Sequence, residues 1–269
     1  MDKEEKQTLL EDYLKNLGSV AVAFSAGVDS SYLLKVASDV LGDKAIAITV
    51  RAKNFPSSEM SASVAFCKKY GIRQIVVDFD SLGVESFCEN LADRCYHCKK
   101  NEFAGIIHAA KRAGARYVVE GSNFDDLSDY RPGMRAIEEL GVLSPLKTLA
   151  FTKADVRRLS RSLGLETWDK PAAACLASRF AYGERITYEG LEMVEKAEEY
   201  LKSLGFTGLR VRTSNKTARI ELKKDDIKKL FSDNLYEEVD KTLKNYGFTY
   251  VSVDLGGYEK GNMNKQILK

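Results

Sequence analysis

The chain has 269 residues, 44% of them hydrophobic and 30% charged, with 41 Lys and Arg against 39 Asp and Glu. A formal net charge of +2 gives no global field to draw it onto nucleic acid or a membrane surface. No apolar run reaches the roughly eighteen residues that a membrane-spanning helix needs, and the length suffices for one large domain or two modest ones.

The N-terminal stretch MDKEEKQTLLEDYLKNLG is charged and amphipathic and has no apolar signal core, so the expected address is cytoplasmic. In that compartment the five cysteines are read as core, metal or catalytic residues rather than structural disulfides.

SVAVAF (19–24), AIAITV (45–50), IRQIVVDF (72–79) and RYVVEG (116–121) are short, apolar and rich in β-branched residues. Continuous apolar runs suit strands buried on both faces, as in a parallel sheet. Between them, segments near 28–41, 57–70 and 98–113 carry apolar residues at helical spacing. Gly42, Gly71 and Gly114 stand where those helices should stop. The alternation predicts an α/β domain, a doubly wound parallel sheet, over residues 1–168.

Residues 169–187, DKPAAACLASRFAYGERIT, mix Pro, Gly and small residues without a period and read as a loop or linker. Beyond them, 188–204 reads as a helix with Leu191, Val194, Ala197 and Leu201 on one face. LRVRT and ARIEL alternate apolar and charged residues around SNKT, which predicts an antiparallel hairpin. Two helical patterns (225–246) and FTYVSVDL (248–255) complete a smaller C-terminal α+β domain over 188–269.

The first apolar run stops at Ser25 and gives way to Ala26, Gly27, Val28, Asp29, Ser30 and Ser31, after which a helical pattern begins at once. Open parallel sheets bind ligands beyond the carboxyl ends of their strands, near helix N-termini. Small residues admit a ligand close to the backbone, serine hydroxyls add donors, and first-turn N–H groups lack intrahelical partners. This is an anion cradle sized for phosphates, yet it is neither a Walker A loop nor the dinucleotide fingerprint. Without a lysine it suits a departing pyrophosphate better than a γ-phosphate held for transfer. The plainer alternative is that Ser25 caps a helix and the glycine makes a tight turn.

Cys95 and Cys98 form a C-x-x-C pair in DRCYHCKK. Such a pair chelates a metal, forms a redox disulfide, supplies part of an iron–sulfur cluster, or is two unrelated thiols. Cys175 lies in a small-residue loop, where reactive groups concentrate. Cys67 and Cys88 fall in helical patterns with apolar neighbours and are expected in the core.

FSAGVDSS (24–31) resembles the PP-loop of the ATP pyrophosphatase superfamily, usually S-G-G-x-D-S. Ser25, Gly27, Asp29, Ser30 and Ser31 match. Ala26 replaces the first glycine, which keeps the N–H but restricts φ. Together with EGSNFDDLSDYRPG (120–133), KPAAACLASRFAYGERIT (170–187) and the LRVR and ARIEL strands, the chain resembles the LarE family over nearly its whole length. Those ATP-dependent sulfur transferases build the nickel-pincer nucleotide cofactor of lactate racemase.

The resemblance implies an adenine nucleotide alpha hydrolase-like fold, ATP with Mg²⁺, and pyridinium-3,5-biscarboxylic acid mononucleotide as small-molecule substrate. Each carboxylate would be adenylated and then converted to a thiocarboxylate, with AMP as leaving group. It implies ATP and pyrophosphate contacts across 25–31, with Asp29 holding Mg²⁺ or ordering the loop, and an adenosine seat near 49–53. Asn123, Asp126, Arg131, Ser178, Arg210 and Arg212 would hold the substrate, and Glu221 a metal or the substrate. Arg179 would grip a phosphate or carboxylate with its fork.

In one subclass the residue matching Cys175 is the sulfur source and ends as dehydroalanine. In another, Cys95, Cys98 and Cys175 would hold a [4Fe–4S] cluster carrying a labile sulfide, fed by sulfide or a sulfur-donor system. The C-x-x-C pair favours the cluster subclass. A homo-oligomer is also implied. The rivals are a tRNA thiolase, disfavoured by the lack of a basic stripe, a nucleotide-sensing module without turnover, and an amide-forming synthetase that leaves the cysteines unexplained.

Overall fold

The computed structural model describes residues 3–128, 132–232, 234–259 and 262. The helices and strands run α1 (Lys3–Leu17), β1 (Val20–Ala23), α2 (Val28–Leu41), β2 (Ala45–Arg51), α3 (Ser57–Tyr70), β3 (Gln74–Asp78), α4 (Glu85–Cys88), α5 (Arg94–Arg112), β4 (Tyr117–Val119), α6 (Pro132–Glu139), α7 (Pro145–Thr148) and α8 (Lys153–Ser162). They continue with α9 (Tyr188–Ser203), β5 (Arg210–Ser214), β6 (Thr217–Glu221), α10 (Lys224–Ser232), α11 (Leu235–Asn245) and β7 (Tyr250–Val253). No helix among the described residues is long and apolar enough to cross a membrane.

The chain divides into two compact units. The first comprises Met1–Ala52, Ser57–Asp80 and Cys95–Ala173; the second comprises Lys53–Pro56, Ser81–Arg94 and Ala174–Lys269. The second unit thus takes two segments from the N-terminal half that no composition shift marks.

In the first unit all four strands are parallel, in the order β3-β2-β1-β4. Alternate residues face opposite cores, as strand geometry requires. Val20, Val22, Ala45 and Ala47 pack with α2 residues Tyr32, Leu33 and Val36. Ala21, Ile46 and Ile48 pack on the other face with Phe103 and Ile106 of α5. Covering on both faces explains the unbroken apolar runs. β1 has β2 on one side and β4 on the other, so the chain reverses its winding at the end of β1. That switch point is where open α/β sheets place their ligands.

Helix α4 is a single turn, and α5 begins four residues earlier than the expected 98. Asn90 sits in the left-handed region at φ 56° and breaks the chain there, and the buried Arg94 donates to its side chain. Cys95 and Cys98 are therefore in the opening turn of a long helix. In the second unit the hairpin forms as expected, turning through Asn215 and Lys216, both at positive φ, and β7 adds in parallel to β6.

Candidate active site

The loop after β1 decides between the two readings of Ser25. Gly27 is the N-cap of α2 (φ −79°, ψ 170°), and no side chain caps the helix. The Ser25 hydroxyl instead meets the Ser30 hydroxyl at 3.1 Å. The opening N–H groups of α2 are thus without a side-chain cap. Val28 is buried in the core, so only its backbone is offered. Ser31 is fully buried, and its hydroxyl has no partner among the described residues. Ala26 adopts φ 54°, a left-handed conformation that costs alanine about 1–2 kcal/mol.

Asp29 is held on both carboxylate oxygens. Asn123 donates to it from Nδ2 at 3.2 Å, and Lys153 forms a salt bridge to the other oxygen. Asn123 is itself fixed by a local turn, in which its Oδ1 accepts from the Asp125 N–H at 3.0 Å and its own N–H donates to Asp126 at 3.0 Å. Asp126 therefore serves the turn that aims Asn123. Gly121 makes this approach possible, because a Cβ there would lie 2.8 Å from the Ser30 nitrogen. Arg131, expected in the same cluster, lies outside the described residues.

At the other end of the loop, the Lys170 ammonium donates to the Ala26 carbonyl at 3.0 Å and to Glu59 at 2.7 Å. One helix organises both lysines. A capping box between Thr152 and Asp155 starts α8, and Lys153 is its first residue. One turn later, Arg157 donates to the carbonyls of Trp168 and Lys170. Asp155 is held below the usual carboxylate range: burial opposes this, but Lys6 and Thr152 outweigh it.

The second unit builds a denser polar group. Arg179 and Glu198 are buried side by side, with Nε and Nη2 of the arginine donating to the two carboxylate oxygens at 2.8 and 2.7 Å. The remaining Nη1 donates to the carbonyls of Ala174 and Cys175 and to the Ser178 hydroxyl. The fork expected to grip substrate is thus turned inward, and Arg179 orders the Cys175 loop. Glu221 is fully buried and accepts from Arg212, Arg219 and Asn262, which makes it the counter-ion of those two arginines. Arg212 also donates to the Ser178 carbonyl at 2.6 Å.

Arg210 differs from its neighbours. Its guanidinium stacks on Tyr258, 5.0 Å from the ring centre, donates to the Leu209 carbonyl, and makes no ion pair with a described carboxylate. Burial, and next the nearby Arg179 charge, lower its pKa. A cation so placed is stabilised by an anion from outside the chain. Cys175 is half-buried, and its sulfur accepts from Asn54 Nδ2 at 3.3 Å.

Cys67 and Cys88 are in the core as expected, and burial pushes the Cys67 thiol up to about 11. Cys95 is exposed and Cys98 buried. Cys95 and Cys98 belong to the first unit and Cys175 to the second. Among the described residues, no three His, Cys, Asp or Glu side chains group as ligands of one metal.

Lys153, Lys170, Gly121, Asn54 and Glu198 escaped sequence reasoning. Only the T-x-x-D start of α8 was a usable signal, since a capping box predicts a helix start, but nothing in the spacing aims it at Asp29.

A parallel sheet whose first strand ends in a serine-lined, uncapped helix start defines an ATP-using enzyme of the PP-loop kind. No protein-family model matches the chain. An uncharacterized protein of Synechocystis sp. is 41% identical over 266 residues, covering 99% of this chain and 99% of that protein. The pyridinium-3,5-bisthiocarboxylic acid mononucleotide synthase of Lactiplantibacillus plantarum is 37% identical over 265 residues, 98% of this chain and 95% of that protein. The tRNA-specific 2-thiouridylase MnmA of Rickettsia felis is 26% identical over 196 residues, 58% of this chain and 54% of that protein. The chain belongs to the family of the pyridinium-3,5-bisthiocarboxylic acid mononucleotide synthase, the LarE family.

Proposed function

We propose that this chain is an ATP-dependent sulfur transferase that converts the carboxylates of pyridinium-3,5-biscarboxylic acid mononucleotide to thiocarboxylates for a nickel-pincer cofactor. Full-length identity to the Lactiplantibacillus synthase supports the reading, and the uncapped, serine-lined start of α2 carries it structurally. A substrate carboxylate oxygen attacks the α-phosphorus of ATP, and pyrophosphate leaves. Ser25, Ser30 and the opening N–H groups of α2 hold the departing phosphates. Mg²⁺, when bound, neutralises phosphate charge, and Asp29 is the carboxylate at hand to hold it. Arg210, unpaired with any described carboxylate, takes the substrate's phosphate. Asn123 and Asp126 act indirectly, by setting Asp29.

Sulfur then attacks the carbonyl carbon, and AMP leaves with the former carboxylate oxygen. We assign the sulfur to Cys175, placed by Asn54 and by the Arg179-ordered loop. If its own sulfur is transferred, the acyl thioester is cleaved by β-elimination: a base takes the Cα proton of Cys175, the Cα–Cβ double bond of dehydroalanine forms, and the Cβ–S bond breaks to release the thiocarboxylate. The competing reading is a [4Fe–4S] cluster on Cys95, Cys98 and Cys175, whose exposed iron would carry a replaceable sulfide. Among the described residues, no three His, Cys, Asp or Glu side chains group as ligands of one metal.

Iron analysis of anaerobically prepared protein, paired with the intact mass of Cys175 after one turnover, separates the two. Iron-free active protein that loses one sulfur from Cys175 supports self-sacrifice. About four irons per chain, lost on replacing Cys95, Cys98 or Cys175, supports the cluster. A tRNA thiolase, the runner-up named by the MnmA likeness, requires tRNA binding that weakens steeply with salt.

A further inference from the structure

Arg179 and Arg212 are held by their N–H groups, the first on Glu198 and the second on Glu221 and the Ser178 carbonyl. Arg210 is held by its face. We infer that Tyr258 is the positioning residue of Arg210, its ring carrying the guanidinium so that the N–H edge stays free for the substrate's phosphate. The inference rests on the reading that Arg210 takes that phosphate, and it adds the segment after β7 to the substrate site.

Three features carry it. The first is chemical. A carboxylate partner occupies the same donors that a phosphate needs. An aromatic ring takes the flat face of a guanidinium and leaves the in-plane donors free. The Arg210 guanidinium lies 5.0 Å from the Tyr258 ring centre, and its Nη1 donates to the Leu209 carbonyl at 2.7 Å. The second is electrostatic. Burial, and next the Arg179 charge, work against the Arg210 cation. The negative face of the ring offsets part of that cost without adding a carboxylate.

The third is the way the ring is delivered. β7 runs parallel to β6, with Val253 opposite Ile220. Asp254 then closes a tight turn. Its N–H donates to the Ile220 carbonyl at 2.9 Å, its Oδ1 accepts from the Gly256 N–H at 2.9 Å, and its carbonyl accepts from the Gly257 N–H at 3.0 Å. Out of that turn, the Tyr258 N–H donates to the Leu222 carbonyl at 2.8 Å. Leu222 follows Glu221, the residue opposite Arg210 in the hairpin, so this bond sets Tyr258 beside Arg210. Gly257 stands at φ 77°, and a Cβ there would lie 2.8 Å from the Leu222 carbonyl oxygen. The turn therefore requires glycine, and the backbone fixes where the ring stands. A phosphate reaching Arg210 meets a guanidinium already oriented, so less ordering remains to be done on binding.

The test uses the full chain and titration calorimetry with pyridinium-3,5-biscarboxylic acid mononucleotide and, separately, Mg·ATP. Arg210→Met is expected to weaken mononucleotide binding at least about tenfold, the scale of a lost hydrogen bond to a charged group. Tyr258→Leu is expected to weaken it about three- to tenfold, the scale of a lost cation–π contact. Tyr258→Phe, which keeps the ring, is expected to recover most of that loss. Added to Arg210→Met, Tyr258→Leu is expected to change the affinity by no more than about twofold, because the ring acts through the arginine. ATP affinity is expected to stay within about twofold in every variant. Additive losses in the double variant, equal losses for ATP and the mononucleotide, or a Tyr258→Leu protein that binds like the parent would each overturn the positioning role. An Arg210→Met protein that binds the mononucleotide like the parent would overturn the phosphate assignment of Arg210, and the proposal with it. If the parent binds ATP but not the mononucleotide, the substrate reading itself fails. Matching thermal unfolding of the variants and the parent confirms that the comparison is between folded proteins.

Discussion

The two units handle charge in opposite ways. In the first, the ligand loop is backbone and hydroxyls, and its charges sit in partly exposed pairs that can be exchanged. In the second, arginines and carboxylates are buried against each other, with Arg179, Glu198 and Glu221 all but inaccessible. One arrangement suits a ligand that must be gripped and released, as pyrophosphate is. The other is a fixed frame behind the Cys175 loop, and Arg210, stacked on Tyr258, is left without an ion pair to a described carboxylate. Charge on a face therefore says little until its partners are counted: of Arg179, Arg210 and Arg212, all picked out as ligand-holding residues, two are paired with buried carboxylates and Arg210 is unpaired with a described carboxylate.

That contrast is most sharply broken in the second unit. Arg179→Met leaves the Glu198 carboxylate buried without its partner and is expected to cost about 3–5 kcal/mol, read as a fall in the urea midpoint at constant slope. A surface-like cost below about 1 kcal/mol would mean that the frame is not a frame. In the first unit, Gly121→Ala places a methyl against the Ser30 backbone. It should destabilise by about 1–3 kcal/mol and weaken ATP binding, whereas an unchanged affinity would separate the β4 loop from the phosphate site.

Next in size is the start of α8. Losing the Thr152 cap, as in Thr152→Ala, should cost about 1 kcal/mol. The Asp155 carboxyl is held below its ordinary value, so its contribution is present above about pH 4, where the unfolded chain is ionised. It is lost as pH falls through the folded value. Asp155→Asn should therefore flatten the acid limb of a stability-against-pH curve, and an unaltered limb would contradict the pairing with Lys6. Smallest is Ala26→Gly. Relief of the left-handed φ is offset by a lost buried methyl and a looser unfolded chain, so stability should move by less than about 1 kcal/mol.

Much of the fold was legible because burial writes itself into local pattern. The four apolar runs, the helices at 28–41 and 57–70 and the 210–221 hairpin follow from periods of two and 3.6 residues with glycine stops. The phosphate loop was legible too, since strand, small residues and helix are contiguous. What was not legible depends on distant segments. Lys153 and Lys170 join the loop across 124 and 144 residues, Asn54 reaches Cys175 across 121, and Arg179 finds Glu198 through packing that no spacing encodes. The burial of Arg179 and Glu221 was not legible, because alternation alone does not show that both faces of a strand, or a loop beside it, are covered. The start of α5 was missed because Asn90, an ordinary residue, takes a conformation usually reserved for glycine.

In the proposed reaction, ATP cleavage and sulfur delivery are separate tasks performed on one substrate carboxylate. The direct measurement supplies the biscarboxylate mononucleotide and Mg·ATP to the unchanged protein and to Cys175→Ser, and follows pyrophosphate and thiocarboxylate together by mass. The expected result is substrate-dependent pyrophosphate release by both proteins and thiocarboxylate from the unchanged protein only. Thiocarboxylate formed equally well by Cys175→Ser, or no pyrophosphate from either protein, would contradict it.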